Sequence, residues 1–157
     1  MLKNFIFLIM LLAISYAEEN YLNIDAKSFE SNEKKHLIHF KGDVKMTKNN
    51  DILQCQELTI YTIKTKKNSQ LPKKYHAKGN VTFTVNLKNK LLKGKGDELI
   101  YIPNDQRYTI LGNGYLEDTT TDKKLYASKI SIDEKTGLIK IDGEKNKPVK
   151  FRLKLGN

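Results

Sequence analysis

A glycine followed by aspartate or asparagine, and then by alternating residues, occurs three times in this chain: Gly42-Asp43-Val44-Lys45-Met46, Gly79-Asn80-Val81-Thr82-Phe83 and Gly112-Asn113-Gly114-Tyr115-Leu116. Gly143-Glu144 stands at the same place in a shorter fourth copy. After Gly79-Asn80, the apolar Val81, Phe83, Val85 and Leu87 alternate with Thr82, Thr84, Asn86 and Lys88. A period of two is the mark of a strand with one buried and one wet face. The four glycines are 37, 33 and 31 residues apart, which predicts a repeated unit with two strands in each.

A second element lies between these copies: a small residue, two polar ones, then apolar alternation. It occurs as Ala26-Lys27-Ser28-Phe29, Cys55-Gln56-Glu57-Leu58-Thr59-Ile60, Gly96-Asp97-Glu98-Leu99-Ile100-Tyr101 and Ala127-Ser128-Lys129-Ile130-Ser131-Ile132. The small residue and the next apolar one are three apart, which breaks the period of two. Keeping both inside requires a bend or bulge, with Ala26, Cys55, Gly96 and Ala127 at crowded corners. No window of a dozen residues after Glu18 carries a helical period, and turn-forming clusters recur between the alternating segments. The expected class is all-β.

The chain has 157 residues, the length of one ordinary domain. Lys3, the apolar run FIFLIMLLAI at residues 5–14 and the small residues of Ser15-Tyr16-Ala17 predict a cleavable signal peptide over residues 1–17, with residues 18–157 as a single exported domain. The apolar run is too short for a membrane-spanning helix, which needs about 20 residues. Cys55 is the only cysteine, so no intrachain disulfide forms. The net charge of +10 suits an anionic partner. In an exported protein that points to acidic glycolipid or an anionic membrane surface rather than nucleic acid, and no aromatic residues interleave the lysines as single-strand binding requires. The basic loop at residues 62–74 holds Lys64, Lys66, Lys67, Lys73 and Lys74, which are either a solvated loop or contacts for an anionic headgroup.

No catalytic constellation is found. His36 and His39 fall on opposite faces of a strand, and His76 is remote in sequence, so no metal pair is expected. Gly112-Asn113-Gly114 and Gly94-Lys95-Gly96 lack the continuation that a phosphate loop needs. Asp97-Glu98 and Glu117-Asp118 point to opposite faces rather than across a substrate, and Cys55 reads as a packing residue. No cofactor is implied. At the C-terminal end, Val149, Phe151, Leu153 and Leu155 alternate with Lys150, Arg152 and Lys154, as an edge strand either protected by charge or offered to a partner.

Phe40-Lys41-Gly42-Asp43-Val44-Lys45-Met46 followed by Leu53-Gln54-Cys55-Gln56-Glu57-Leu58-Thr59-Ile60-Tyr61, and its second pass from Ala77-Lys78-Gly79 to Leu99-Ile100-Tyr101, resembles the OstA-like family of periplasmic lipopolysaccharide-transport proteins. The resemblance implies an open antiparallel β-jelly roll folded into a V, with an apolar interior for lipid A acyl chains. It also implies head-to-tail self-association and partners of two kinds, an inner-membrane LptC-like protein and an outer-membrane LptD-like protein. The inward side chains of the central repeats are then candidates to line the groove: Val44, Met46, Leu58, Ile60, Val81, Phe83, Leu99, Tyr101, Leu116, Ile130, Ile132 and Ile141. The alternatives are an LptC-like adaptor of the same superfamily and a secreted β protein that binds acidic polysaccharide.

Overall fold

The computed structural model describes residues 21–67 and 70–156, and the expected leader at residues 1–17 lies outside them. The described residues form β1 (Leu22–Asp25), β2 (Ser28–Asn32), β3 (Leu37–Lys48), β4 (Asp51–Lys64), β5 (Gln70–Leu87), β6 (Lys90–Ile102), β7 (Arg107–Asp118), β8 (Lys123–Asp133), β9 (Ile139–Asp142) and β10 (Lys150–Arg152), with one 3-10 turn at Pro103–Asp105. All pairings are antiparallel within a single open sheet. The order is β1-β3-β4-β5-β6-β7-β8-β10, with β2 beside β3 and β9 beside β8. Each edge is therefore one strand in two pieces, β1 with β2 at one side and β9 with β10 at the other.

The Gly-Asx pairs bend this sheet. Gly79 has φ +80 and Asn80 φ 47, a left-handed pair that a β-branched residue would resist. Gly42-Asp43 and Gly112-Asn113 adopt the same conformation. At each pair the register slips, between Lys41 and Val44, between Lys78 and Val81 and between Leu111 and Gly114. The extra residue lies on the Gly-Asx strand, and the small-residue strand opposite only follows the bend. Side chains secure these bends: Lys27 Nζ lies 2.8 Å from Asp43 Oδ2, and Asn113 Nδ2 donates to Asp97 Oδ2 at 3.0 Å. The Lys27 ammonium holds the Asp43 carboxyl below the usual carboxylate range.

Three expectations about the edges are corrected. Gly143 lies outside the left-handed conformation shared by Gly42, Gly79 and Gly112, so the fourth copy does not bulge as they do; the chain turns instead through the Glu144↔Lys147 bridge. Only Lys150–Arg152 of the alternating C-terminal segment pairs, so the terminal strand is shorter than its pattern. Ala26 is exposed, because no further strand of the described residues covers the break between β1 and β2.

The line of bulges divides the sheet into two arms, and the alternation of the strands sends apolar rows inward from both. In the first arm, Ile24, Met46, Leu53, Phe83, Gly94, Leu116, Leu125 and Phe151 face one another in turn. In the second, Phe40, Leu58, Ala77, Leu99, Ile110, Ile130 and Ile141 form one row, and Ile38, Ile60, Tyr75, Tyr101, Tyr108, Ile132 and Ile139 the next. Val44, Leu58, Val81, Ile110, Leu116 and Ile130 are the largest of the fully buried side chains, and residues of both arms join one core.

Candidate functional site

Away from the bend the arms part, and the gap between them is a cleft of about 350 Å³. One arm contributes Leu22, Met46, Lys48, Asn49, Asp51, Ile52, Leu53, Phe83 and Val85, and the other Tyr75, Ala77, Leu99, Tyr101, Pro103, Tyr108 and Glu134. The floor is apolar because every strand alternates, and the polar groups stand at the rim. Lys88 Nζ, in the turn after β5, donates at 2.8 Å to the backbone carbonyl of Lys135 in the turn after β8, tying the two arm tips together.

Three tyrosines form the wall on the second arm. The rings of Tyr101 and Tyr108 stack with centroids 4.2 Å apart, and Tyr75 lies 6.0 Å from Tyr101 at a tilt. Tyr101 Oη donates to Glu134 Oε2 at 3.5 Å. Burial pushes all three phenols upward, most strongly Tyr108, and the Glu134 carboxylate adds to the shift at Tyr101 and Tyr108. They stay neutral across the physiological range, so this wall offers ring faces and hydroxyl donors rather than charge.

Of the twelve groove candidates, Met46, Phe83, Leu99 and Tyr101 line the cleft. Val44, Leu58, Ile60, Val81, Leu116, Ile130 and Ile132 are buried in the core, and Ile141 is half-buried at the β9 edge. Lys64, Lys66, Lys67, Lys73 and Lys74 are not among the cleft-lining residues; they sit on the β4–β5 hairpin, where Lys74 Nζ lies 5.1 Å from the centre of the Tyr61 ring. Val149, Phe151, Leu153 and Leu155 are all exposed along or beyond β10. Sequence reasoning missed Tyr75, Tyr108 and Glu134. The first two continue the inward periodicity of Ala77 and Ile110, whereas Glu134 lies in a turn and carries no periodic signal.

The groups weighed for other chemistry are tied up locally. His76 Nε2 lies 2.6 Å from Glu98 Oε2, and His39 Nδ1 2.7 Å from Thr59 Oγ1, both half-buried on the outer face rather than freely exposed as ordinary surface histidines. Cys55 is buried, and that burial pushes its thiol up to about 11, which leaves almost no thiolate at neutral pH.

The chain is thus an open β-jelly roll bent into two facing arms, with an apolar cleft walled on one side by tyrosines. Residues 23–138 match the family described as LptA/(LptD N-terminal domain) LPS transport protein, and the chain belongs to that family. The crystal structure of LptH, the LptA-homologous periplasmic component of the lipopolysaccharide-transport device of Pseudomonas aeruginosa, superimposes with a TM-score of 0.75 at 14% identity, over 87% of this chain and 97% of that one. No curated protein sequence matches this chain significantly.

Proposed function

We propose that this chain is a periplasmic carrier that shields lipid A acyl chains between the arms of its sheet and helps move lipopolysaccharide from the inner to the outer membrane. The observation that carries this reading is the cleft, whose apolar lining comes from both arms. An apolar cavity of about 150 Å³ holds one benzene. By that measure the cleft of about 350 Å³ has room for one acyl chain of roughly a dozen carbons. Each CH₂ withdrawn from water contributes about 0.8 kcal/mol. More chains require the arms to part further, and the Lys88 to Lys135 hydrogen bond is a weak obstacle to that opening. The role is binding and handover, with no catalytic step.

A photo-crosslinking residue at Met46 or Tyr101, one on each arm, is expected to capture lipopolysaccharide in cells. The same residue at Thr82, on the outer face, is expected to capture none, and equal capture at all three overturns the interior site.

The inner rows also reach both edges uncovered. Phe29 is 71% exposed at one side and Phe151 59% at the other, which favours end-to-end contact between copies and with LptC-like and LptD-like partners carrying the same fold. The mass of the chain in solution is expected to rise with concentration, and Phe151→Glu to hold it at the monomer value. A mass that is constant for both proteins refutes self-association.

A further inference from the structure

We propose that the hairpin joining β4 and β5 docks on an anionic phospholipid bilayer, a role separate from holding cargo. Residues 58–96 contain ten lysines and no aspartate or glutamate, so this quarter of the chain matches the net charge of the whole, +10. The hairpin outruns its neighbours. Beyond the Tyr61↔Lys74 pair, β3 has only begun at Leu37 and β6 has ended at Ile102, so among the described residues the pairs Thr62↔Pro72, Ile63↔Leu71 and Lys64↔Gln70 have no strand on either side. Its base is tied to the adjoining turn, where the Thr62 amide donates to the His36 carbonyl at 2.9 Å.

Ile63 and Leu71 face each other across this unflanked hairpin and are 42% and 52% exposed. Exposed Lys64, Lys66, Lys67 and Lys73 surround them. A protein partner would be expected to meet such a surface with its own carboxylates, but a bilayer rich in acidic headgroups matches both parts at once. The apolar pair enters the interface, and the lysines remain at the level of the phosphates. Each lysine near such a surface raises partitioning about fivefold. None of these lysines lines the cleft, which favours a bilayer headgroup over that of bound lipopolysaccharide as their partner.

The test is sedimentation of the full chain with vesicles of phosphatidylcholine alone and of phosphatidylcholine mixed with phosphatidylglycerol. Binding is expected only to the mixed vesicles, falling steeply with salt. Lys66→Glu with Lys67→Glu is expected to weaken it more than about tenfold, and Ile63→Ser with Leu71→Ser several-fold. Lys93→Glu with Lys95→Glu makes the same change in net charge on β6, remote from the hairpin, and is expected to leave most of the binding in place. Equal losses in the two charge variants overturn the proposal, since binding would then follow overall charge. Lipopolysaccharide capture at Tyr101 is read in parallel. If the hairpin variant loses capture and keeps vesicle binding, the lysines serve the cargo and the proposal fails. If capture is absent even in the unaltered chain while vesicle binding behaves as expected, the carrier reading alone fails.

Discussion

Replacing Ile110 with alanine is expected to lower the free energy of unfolding by about 2–5 kcal/mol, measured from the urea midpoint. Ile110 is fully buried in the second-arm row between Leu99 and Ile130. Its Cγ2 also fills the space that a side chain would take at Gly96 on the neighbouring strand β6, and that glycine has no side chain to move into the hole. A domain of this size holds about 5–15 kcal/mol in total, and each lost kcal/mol lowers Tm by about 2–4 °C. The apolar edge residue Phe151, truncated in the same way, is expected to cost less than about 0.5 kcal/mol. An Ile110→Ala loss below about 1 kcal/mol would mean that the row near the bend is not a packed core.

Gly94 and Phe83 form the second sensitive site. They are cross-strand partners in the first-arm row, and the tip of the Phe83 ring occupies the place where a Cβ on Gly94 would stand. Gly94→Ala is expected to cost about 1–3 kcal/mol by forcing the ring off its rotamer, and Phe83→Ala about 3–5 kcal/mol by leaving a hole. Together they should be less destabilising than the sum, because the new methyl takes space that the ring vacates. The coupling is expected to lie between about 0.5 and 3 kcal/mol. Additivity to within about 0.5 kcal/mol would place the ring elsewhere. Because Phe83 also lines the cleft, displacement of its ring by Gly94→Ala should change the shape of the ligand space as well as the stability.

The repeat was legible because it is a backbone requirement. A left-handed pair in the middle of a strand demands glycine, with aspartate or asparagine after it, so Gly42-Asp43, Gly79-Asn80 and Gly112-Asn113 announced both the bends and their spacing. Inward and outward faces followed from alternation, which is why all twelve groove candidates fall in the inward rows or near the bend. Depth was not legible. Ile60 and Tyr101 share one inward row, yet Ile60 is sealed in the core and Tyr101 stands in the wall of the cleft, because burial depends on how closely the facing arm approaches at each point of the row, which alternation does not encode. The edges misled for a related reason. Phe151 and Ala26 carry the pattern of buried strands, but a pattern does not reveal that no further strand among the described residues covers them.

The sheet is a meander, apart from its two split edges. Every long strand bonds to its neighbours in sequence, and among the described residues no ladder pair joins positions further apart along the chain than Ile52 and Thr84. Closing such loops costs little entropy compared with a fold that must unite its two ends first. Each hairpin, once formed, leaves a free edge on which the next can be laid down. The bend is included in that order, since every Gly-Asx pair sits inside the strand being added. A chain delivered end first can therefore acquire its curvature as it arrives, before its C-terminal strands are present.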